Sequence, residues 1–130
     1  MSTPADANTP LYLGLMSGTS ADGIDVALVQ FPDEGGCRFV HGLTARWEPL
    51  LRARLVALGE GGPLASLEEL GELDARIAIA FADAANQLLD ESGVDRTRVR
   101  AIGSHGQTVR HRPLADPAFT VQLGDGNRIA

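Results

Sequence analysis

The sequence has 130 residues, of which 44% are hydrophobic, and this length suits one domain with its own core. The formal net charge of −6 argues against a nucleic-acid-binding protein, because such proteins usually carry a basic face. No apolar run approaches the roughly eighteen residues of a membrane span, and residues 1–10 lack the regions of a signal peptide. We therefore expect a cytoplasmic protein with a flexible N-terminus over residues 1–10 and no membrane partner.

Two apolar runs near the start, residues 11–16 and 24–31, have strand length and predict a β-hairpin. The segment between them, residues 17–23 (the hairpin turn), is longer than a tight hairpin needs and contains two glycines, three hydroxyls and one carboxylate. Gly18 and Gly23 can adopt positive φ, so backbone N–H groups could converge on a phosphate. A hydrated magnesium ion could lie between that phosphate and Asp22. The same composition is also typical of an ordinary solvated turn.

Two common phosphate-binding motifs are absent from the sequence. All eleven basic residues are arginines, so the chain lacks the lysine of the Gly-x-x-x-x-Gly-Lys-[Ser/Thr] loop. Gly14, Gly18 and Gly23 also lack the Gly-x-Gly-x-x-Gly spacing of dinucleotide-binding folds. A phosphate site in this chain would therefore be formed by a hairpin rather than by a strand-to-helix turn.

The middle of the chain predicts a third strand followed by two helices. Residues 38–47 alternate loosely and would complete a β-meander, and residues 48–59 start with Glu-Pro and carry a leucine stripe that includes Leu50. Ser66 and Glu69 have capping-box spacing, and apolar residues then recur at helical spacing until Gly93. The acidic residues of this helix are interpreted as a solvated face with a favourable N-terminal charge: Glu68, Glu69, Glu72 and Asp74.

The last third predicts a strand over residues 99–103, parallel to an earlier strand because a helix precedes it. Ligand sites of open α/β sheets gather beyond the carboxyl ends of such strands, where residues 104–108 would lie. His105 could orient a ligand there or simply cap the strand, and His111 could be an exposed loop residue or a ligand contact. Residues 119–123 predict one more strand, which a turn at 124–127 joins to the start of a helix.

Three segments resemble landmarks of the anhydro-N-acetylmuramic acid kinases. Residues 13–29 contain Gly-Leu-Met-Ser-Gly-Thr-Ser-Ala-Asp-Gly-Ile-Asp, residues 102–113 read Ile-Gly-Ser-His-Gly-Gln-Thr-Val-Arg-His-Arg-Pro, and residues 119–130 contain Gln-Leu-Gly-Asp-Gly-Asn-Arg. The order of the three landmarks is that of the family, and the match spans essentially the whole chain after the first ten residues. This family belongs to the superfamily of sugar kinases, Hsp70 and actin.

The resemblance implies an α/β fold, namely an actin-like ATPase (ribonuclease H-like) lobe whose mixed sheet starts with a β-meander and is flanked by helices. Residues 11–130 would be the first lobe of two, and the catalytic aspartate and adenosine pocket would lie beyond Ala130. The whole protein would phosphorylate 1,6-anhydro-N-acetylmuramic acid at O6 while water opens the anhydro ring, giving N-acetylmuramic acid 6-phosphate and ADP in peptidoglycan recycling. We expect this chain alone to be inactive, and a homodimer is one possible assembly.

The resemblance also implies site residues and the cofactors ATP and Mg²⁺. Asp22 would hold Mg²⁺ through water. The sugar would lie near His105, Gly106, Gln107, Thr108 and Asn127. The nucleotide phosphates would be bound by the end of the first hairpin: Gly18, Thr19, Ser20, Ala21, Asp22, Gly23, Ile24 and Asp25.

Two other functions remain open at this stage. A non-catalytic nucleotide-binding or sugar-binding module could share the same fold, since fold does not determine function. A hydrolase triad of Ser17 or Ser20 with His105 and an aspartate is the second, although the Gly-x-Ser-x-Gly elbow of such enzymes is missing.

Overall fold

A five-stranded mixed sheet with helices packed on it forms the described part of the chain, residues 8–130 of a computed structural model. The predicted flexible N-terminus covers residues 1–10, of which residues 1–7 lie outside the described residues. The structure confirms the predicted α/β class, with a meander first and flanking helices. The elements in chain order are β1 (Leu11–Ser17), β2 (Ile24–Gln30), β3 (Arg38–Ala45), α1 (Pro49–Gly59), α2 (Leu67–Ser92), β4 (Val99–Arg112), β5 (Phe119–Leu123) and α3 (Gly126–Ile129).

The strands lie in the order β3-β2-β1-β4-β5. The meander β1-β2-β3 is antiparallel, β4 runs parallel to β1 as predicted, and β5 is antiparallel to β4. This order places the hairpin turn between β1 and β2 next to the middle of β4, because Ser17 pairs with Gln107. Two of the three sequence landmarks therefore meet in space.

The core lies between one face of the sheet and α2. Leu11, Leu13 and Leu15 alternate along β1 and are buried, as the period of two in a strand requires. α2 presents a buried stripe at helical spacing to the same core, including Ile77 and Phe81. The opposite face of the sheet is more open and carries the exposed side chain of Met16.

Both ends of α2 follow from local sequence signals, as predicted. Ser66 accepts a hydrogen bond from the N–H of Glu69 at 3.1 Å, and Gly93 adopts the left-handed conformation with φ of 69°. The predicted capping box is only half formed, because the Glu69 carboxylate accepts from the N–H of Ala65 and pairs with Arg54 instead. Of the acidic residues assigned to a solvated face, Glu68 and Glu72 are exposed, whereas Asp74 is half-buried and accepts a hydrogen bond from the N–H of Gly124 at 2.7 Å.

α1 begins at the predicted place and is capped by Glu48. Its carboxylate accepts hydrogen bonds from the N–H groups of Leu50 and Leu51 at 3.0 and 2.8 Å, and Pro49 occupies the first turn, where it has no N–H to leave unpaired. Leu55 is buried in the core. The prediction that Leu50 belongs to the apolar stripe is wrong, because its side chain is 80% exposed.

β4 differs most from the sequence-based expectation. Instead of ending at Gly103 it continues to Arg112, so residues 104–108 lie within a strand and not beyond its carboxyl end, and His111 is a strand residue rather than a loop residue. The first half of β4 pairs with β1, and β5 provides a second partner for residues 107–112. The strand changes partner at Gly106, which has a φ of +72°. Among residues 8–130, no helix combines the length and apolar content of a membrane span.

Candidate functional site

The carbonyl groups of the hairpin turn are bound from within the protein. Gly18 O accepts from the N–H of Ala21 at 3.0 Å and from Nε2 of Gln107 at 3.0 Å. Arg52, on α1, donates from Nε to Ala21 O at 2.9 Å and from Nη2 to Ser20 O at 3.3 Å. The turn is therefore fastened to both α1 and β4.

Several N–H groups of the same turn donate no hydrogen bond within the described residues. Within residues 8–130, the amides of Thr19, Ser20 and Asp22 donate no hydrogen bond, and all three residues are exposed. Exposed, unpaired amides beside hydroxyl groups are the donors that anion-binding turns present to phosphate. The turn thus leaves three backbone donors available to a ligand.

The conformational role predicted for the two glycines is wrong. Neither Gly18 nor Gly23 has positive φ; the left-handed residue is Ala21, with φ of 50° and a completely buried side chain. Gly23 is required for a different reason, since a Cβ at this position would lie 2.6 Å from Cγ2 of Thr44 and 3.3 Å from Ala45 O. A larger residue at position 23 would therefore require Thr44 or the backbone of β3 to shift.

Asp22 is a charged, accessible carboxylate. It accepts from the Ser20 hydroxyl at 2.7 Å and from Nη2 of Arg52 at 3.3 Å, and its side chain is 79% exposed. The hydrogen bond from Ser20, followed by the Arg52 guanidinium, holds the pKa of Asp22 below its ordinary value. Such a carboxylate suits the water shell of Mg²⁺, which takes few protein ligands. The part of the chain that the structure describes contains no cluster of three acidic, histidine or cysteine side chains that could bind a metal unaided.

The other residues predicted to contact nucleotide differ in accessibility. Ile24 is buried in the core, so it and Ala21 can offer only backbone groups. Asp25 is exposed at the start of β2, and the hydroxyl of Thr44 donates to it at 2.6 Å. Asp25 also lines a groove of about 410 Å³ on the open face of the sheet, together with Met16, Gly103 and His105.

Among the residues predicted to contact sugar, His105 and Asn127 are exposed, whereas Gly106, Gln107 and Thr108 are buried. Thr108 accepts from Nε2 of Gln122 on β5 at 3.1 Å. Asn127 lies in the first turn of α3, where its N–H donates to Asp125 at 2.9 Å. His105 is thus the member of the β4 segment that a ligand could reach in this chain.

Gln107 connects the β4 segment to the hairpin turn. It is fully buried, and Nε2 donates to Gly18 O and to Thr108 O, at 3.0 and 3.2 Å. Its Oε1 is buried with no hydrogen-bond partner among the described residues. An unpaired buried carbonyl is costly, so this atom is a natural acceptor for a water molecule or a ligand donor.

Two glycines bring the second and third sequence landmarks into contact. A Cβ on Gly106 would lie 2.6 Å from Leu123 O, and one on Gly124, whose φ is +128°, would lie 3.7 Å from the Cα of Gly106. Asp74, on α2, accepts a hydrogen bond from the N–H of Gly124. Sequence analysis missed both Arg52 and Asp74, because a charged residue on a helix gives no local sign of a partner thirty or fifty positions away.

Comparison with known proteins identifies related sequences over this whole region. The family model described as Anhydro-N-acetylmuramic acid kinase matches residues 10–130. A protein of that name from Xanthomonas campestris pv. campestris (strain 8004) is 62% identical over 132 residues, covering 100% of this chain and 35% of the relative. Proteins of the same name from Xylella fastidiosa and Vibrio vulnificus (strain CMCP6) are 54% and 47% identical, over 93% and 92% of this chain and 32% of each relative. The chain spans about a third of the length of these curated relatives.

Proposed function

The chain belongs to the anhydro-N-acetylmuramic acid kinase family, and from this premise we propose that it supplies part of the active site of an ATP-dependent sugar kinase. The whole protein would transfer the γ-phosphoryl group of ATP to O6 of 1,6-anhydro-N-acetylmuramic acid while one water molecule opens the anhydro ring. The products would be N-acetylmuramic acid 6-phosphate and ADP. This reaction belongs to peptidoglycan recycling, and its use of ATP suits a cytoplasmic location.

The hairpin turn is the observation that carries the proposal. Its amides at Thr19, Ser20 and Asp22 are exposed and unpaired within the described residues, whereas its carbonyls are held by Arg52 and Gln107. Phosphoryl transfer depends mainly on positioning and charge neutralisation, so a turn with unpaired backbone donors is a suitable contribution from one lobe. The segment that we propose to contact the ATP phosphates is residues 18–25.

Asp22 is the residue that we propose to orient Mg²⁺ through water. Its carboxylate is ionised and exposed, and it retains lone pairs beyond those used by Ser20 and Arg52. When bound, Mg²⁺ would neutralise phosphate charge that accumulates during transfer. Arg52 provides a further positive charge at the same place, which reduces the repulsion between Asp22 and the phosphates.

His105 is the residue of this chain that we propose to contact the sugar directly from β4, with Asn127 as a second contact from α3. Gly106, Gln107 and Thr108 would instead shape the wall, because all three are buried. The general base for the attacking water and the adenosine pocket would come from the remainder of the protein, a second lobe. A cleft between two lobes is also what would exclude bulk water from the reaction.

The test is to incubate the whole protein with Mg-ATP and 1,6-anhydro-N-acetylmuramic acid and to follow ADP and the sugar phosphate by mass spectrometry. We expect both products in equal amounts, and neither product when the sugar or Mg-ATP is left out. Binding of Mg-ATP or sugar without turnover would contradict the proposal and favour the non-catalytic module. Labelling by a serine-directed covalent probe would favour the hydrolase.

A further inference from the structure

Arg52 contacts three consecutive residues of the hairpin turn from a different element. It donates from Nε to Ala21 O at 2.9 Å, from Nη2 to Ser20 O at 3.3 Å and from Nη2 to Asp22 Oδ1 at 3.3 Å. Its position on α1 is fixed by the packing of that helix, in which Leu55 and Leu58 are buried. We call these three contacts the clamp, because they connect the hairpin turn to a helix that is packed in the core.

The residue that Arg52 binds most closely has an unfavourable backbone conformation. Ala21 has φ of 50°, in the left-handed region that residues with a Cβ rarely adopt. Such conformations persist where the surrounding structure enforces them, and they concentrate at ligand-binding sites. Burial of the Ala21 methyl holds the residue from the core side, and Arg52 holds its carbonyl oxygen.

The clamp also determines which backbone groups the turn can offer. Arg52 occupies the carbonyl oxygens of Ser20 and Ala21, which would otherwise repel an anion, while the amides of Thr19, Ser20 and Asp22 stay unpaired within residues 8–130. Its positive charge offsets Asp22 at the same time. We propose that Arg52 is a positioning residue for ATP, which holds the hairpin turn in its phosphate-binding conformation without touching the sugar; this inference rests on the proposed kinase function.

An ordinary surface ion pair would not hold the conformation of the turn. An exposed pair between Arg52 and Asp22 alone would contribute little, because solvent screens it. The two hydrogen bonds to carbonyl oxygens are a separate contribution that lysine cannot reproduce, since its ammonium lacks the planar fork that spans adjacent acceptors. Arg54, two residues further along α1, serves another purpose and pairs with Glu69 on α2.

The test uses the whole protein with Arg52→Met, Arg52→Lys and the matched control Arg46→Met. Arg46 is exposed and makes no hydrogen bond or ion pair within the described residues, so its replacement changes the net charge equally without touching the turn. Affinity for Mg-ATP is measured by calorimetry without sugar, so that it does not depend on turnover. KM for each substrate and the thermal unfolding midpoint are measured in parallel.

We expect Arg52→Met to weaken Mg-ATP binding by about tenfold or more, the scale of losing hydrogen bonds to a charged group. KM for the sugar and the unfolding midpoint should stay close to those of Arg46→Met, and Arg52→Lys should recover only part of the affinity. Equal Mg-ATP affinity in Arg52→Met and Arg46→Met would overturn the inference and leave the kinase function intact. Equal losses for both substrates together with a lower midpoint would show a merely structural residue and overturn it as well. A wild-type protein that binds no Mg-ATP would overturn the proposed function and the inference together.

Discussion

Individual residues of the hairpin turn have roles that their chemical type alone does not indicate. Ala21, not a glycine, adopts the left-handed conformation, and Gly23 lies so close to β3 that an added Cβ would overlap the Thr44 side chain. The amide of Gln107 and the guanidinium of Arg52 hold the carbonyl oxygens on either side of Thr19. The shape of the turn is therefore imposed by its neighbours.

Gly23→Val tests the close approach of β3. The new side chain would overlap Thr44 and the carbonyl oxygen of Ala45, so the turn must shift or β3 must move. In the whole protein we expect a loss of stability of about 1–3 kcal/mol, typical of overpacking, and weaker Mg-ATP binding. Chemical denaturation and calorimetry measure the two effects.

Gly71→Ala is the matched control for that variant. Gly71 lies on the exposed side of α2, where a Cβ would meet nothing within 4 Å. The Gly71→Ala variant should bind ATP as wild type does and should not be less stable, because alanine favours the helical conformation more than glycine does. Wild-type ATP binding in Gly23→Val would remove the proposed role of the turn.

His105→Ala tests whether the hairpin turn binds the nucleotide while β4 binds the sugar. His105 lines the groove on the open face and makes no hydrogen bond to the hairpin turn, so its loss should affect the sugar and not the nucleotide. We expect KM for the sugar to rise by about tenfold, equivalent to roughly 1.4 kcal/mol, with basal ATP hydrolysis retained. Steady-state kinetics with each substrate varied in turn would reveal the opposite pattern, which would assign His105 to the nucleotide site.

Among the elements, β4 connects the three landmarks, and α1 binds the first of them. α1 carries Arg52 to the hairpin turn, and β4 brings Gln107 to the same turn and Gly106 to Gly124. On α2, Asp74 accepts a hydrogen bond from the N–H of Gly124 in the third landmark. Disturbing the start of α1, close to Arg52, should therefore alter the turn indirectly.

Glu48→Gln tests the start of α1. Hydrogen bonds from the N–H groups of Leu50 and Leu51 lower the pKa of Glu48 in the folded protein. Because the folded pKa lies below the unfolded one, the stabilisation is present above the unfolded value, about 4.3 for glutamate, and is lost as the pH falls through the folded value. We expect a lower unfolding midpoint than wild type at pH 7 and a difference that shrinks below about pH 4.3.

The control for this prediction is Glu60→Gln at the other end of α1. The side chain of Glu60 is exposed and makes no hydrogen bond within the described residues, and a negative charge is unfavourable at a helix C-terminus. Its replacement should therefore not lower the midpoint. A pH-independent difference between Glu48→Gln and wild type would contradict the capping explanation.

At the scale of the whole molecule, the chain presents a site that is open on one side. The relatives are about three times as long as this chain, and the open face of the sheet exposes apolar side chains such as Met16 and Phe39. Exposed apolar surface of this kind promotes association unless something covers it. We expect residues 1–130 in isolation to self-associate or to dissolve poorly.

Residues 1–130 alone should also lack kinase activity. Positioning of both substrates can account for roughly 7–11 kcal/mol of barrier lowering, and a half-site loses most of it. The measurement is to incubate this fragment with Mg-ATP and 1,6-anhydro-N-acetylmuramic acid and to assay for the sugar phosphate, with the whole protein as positive control. Turnover comparable to that of the whole protein would disprove the two-lobe interpretation.

The sequence by itself determined the α/β class, the order of the elements, the hairpin and both ends of α2. These depend on apolar periodicity and on capping residues, which act over a few positions. It also indicated the family and the two segments that form the candidate site. Local signals were sufficient because each involves residues that are neighbours along the chain.

Only the tertiary structure decided how far β4 extends, which residues of the site are exposed, and what holds the hairpin turn. β4 continues past Gly103 because β1 pairs with it as far as Gln107 and β5 pairs with residues 107–112, partners that lie far away along the chain. Arg52, Asp74 and Gln107 likewise bind groups 30 to 89 positions away. Such contacts depend on the packing of distant elements, so their energies cannot be read from the residues that make them.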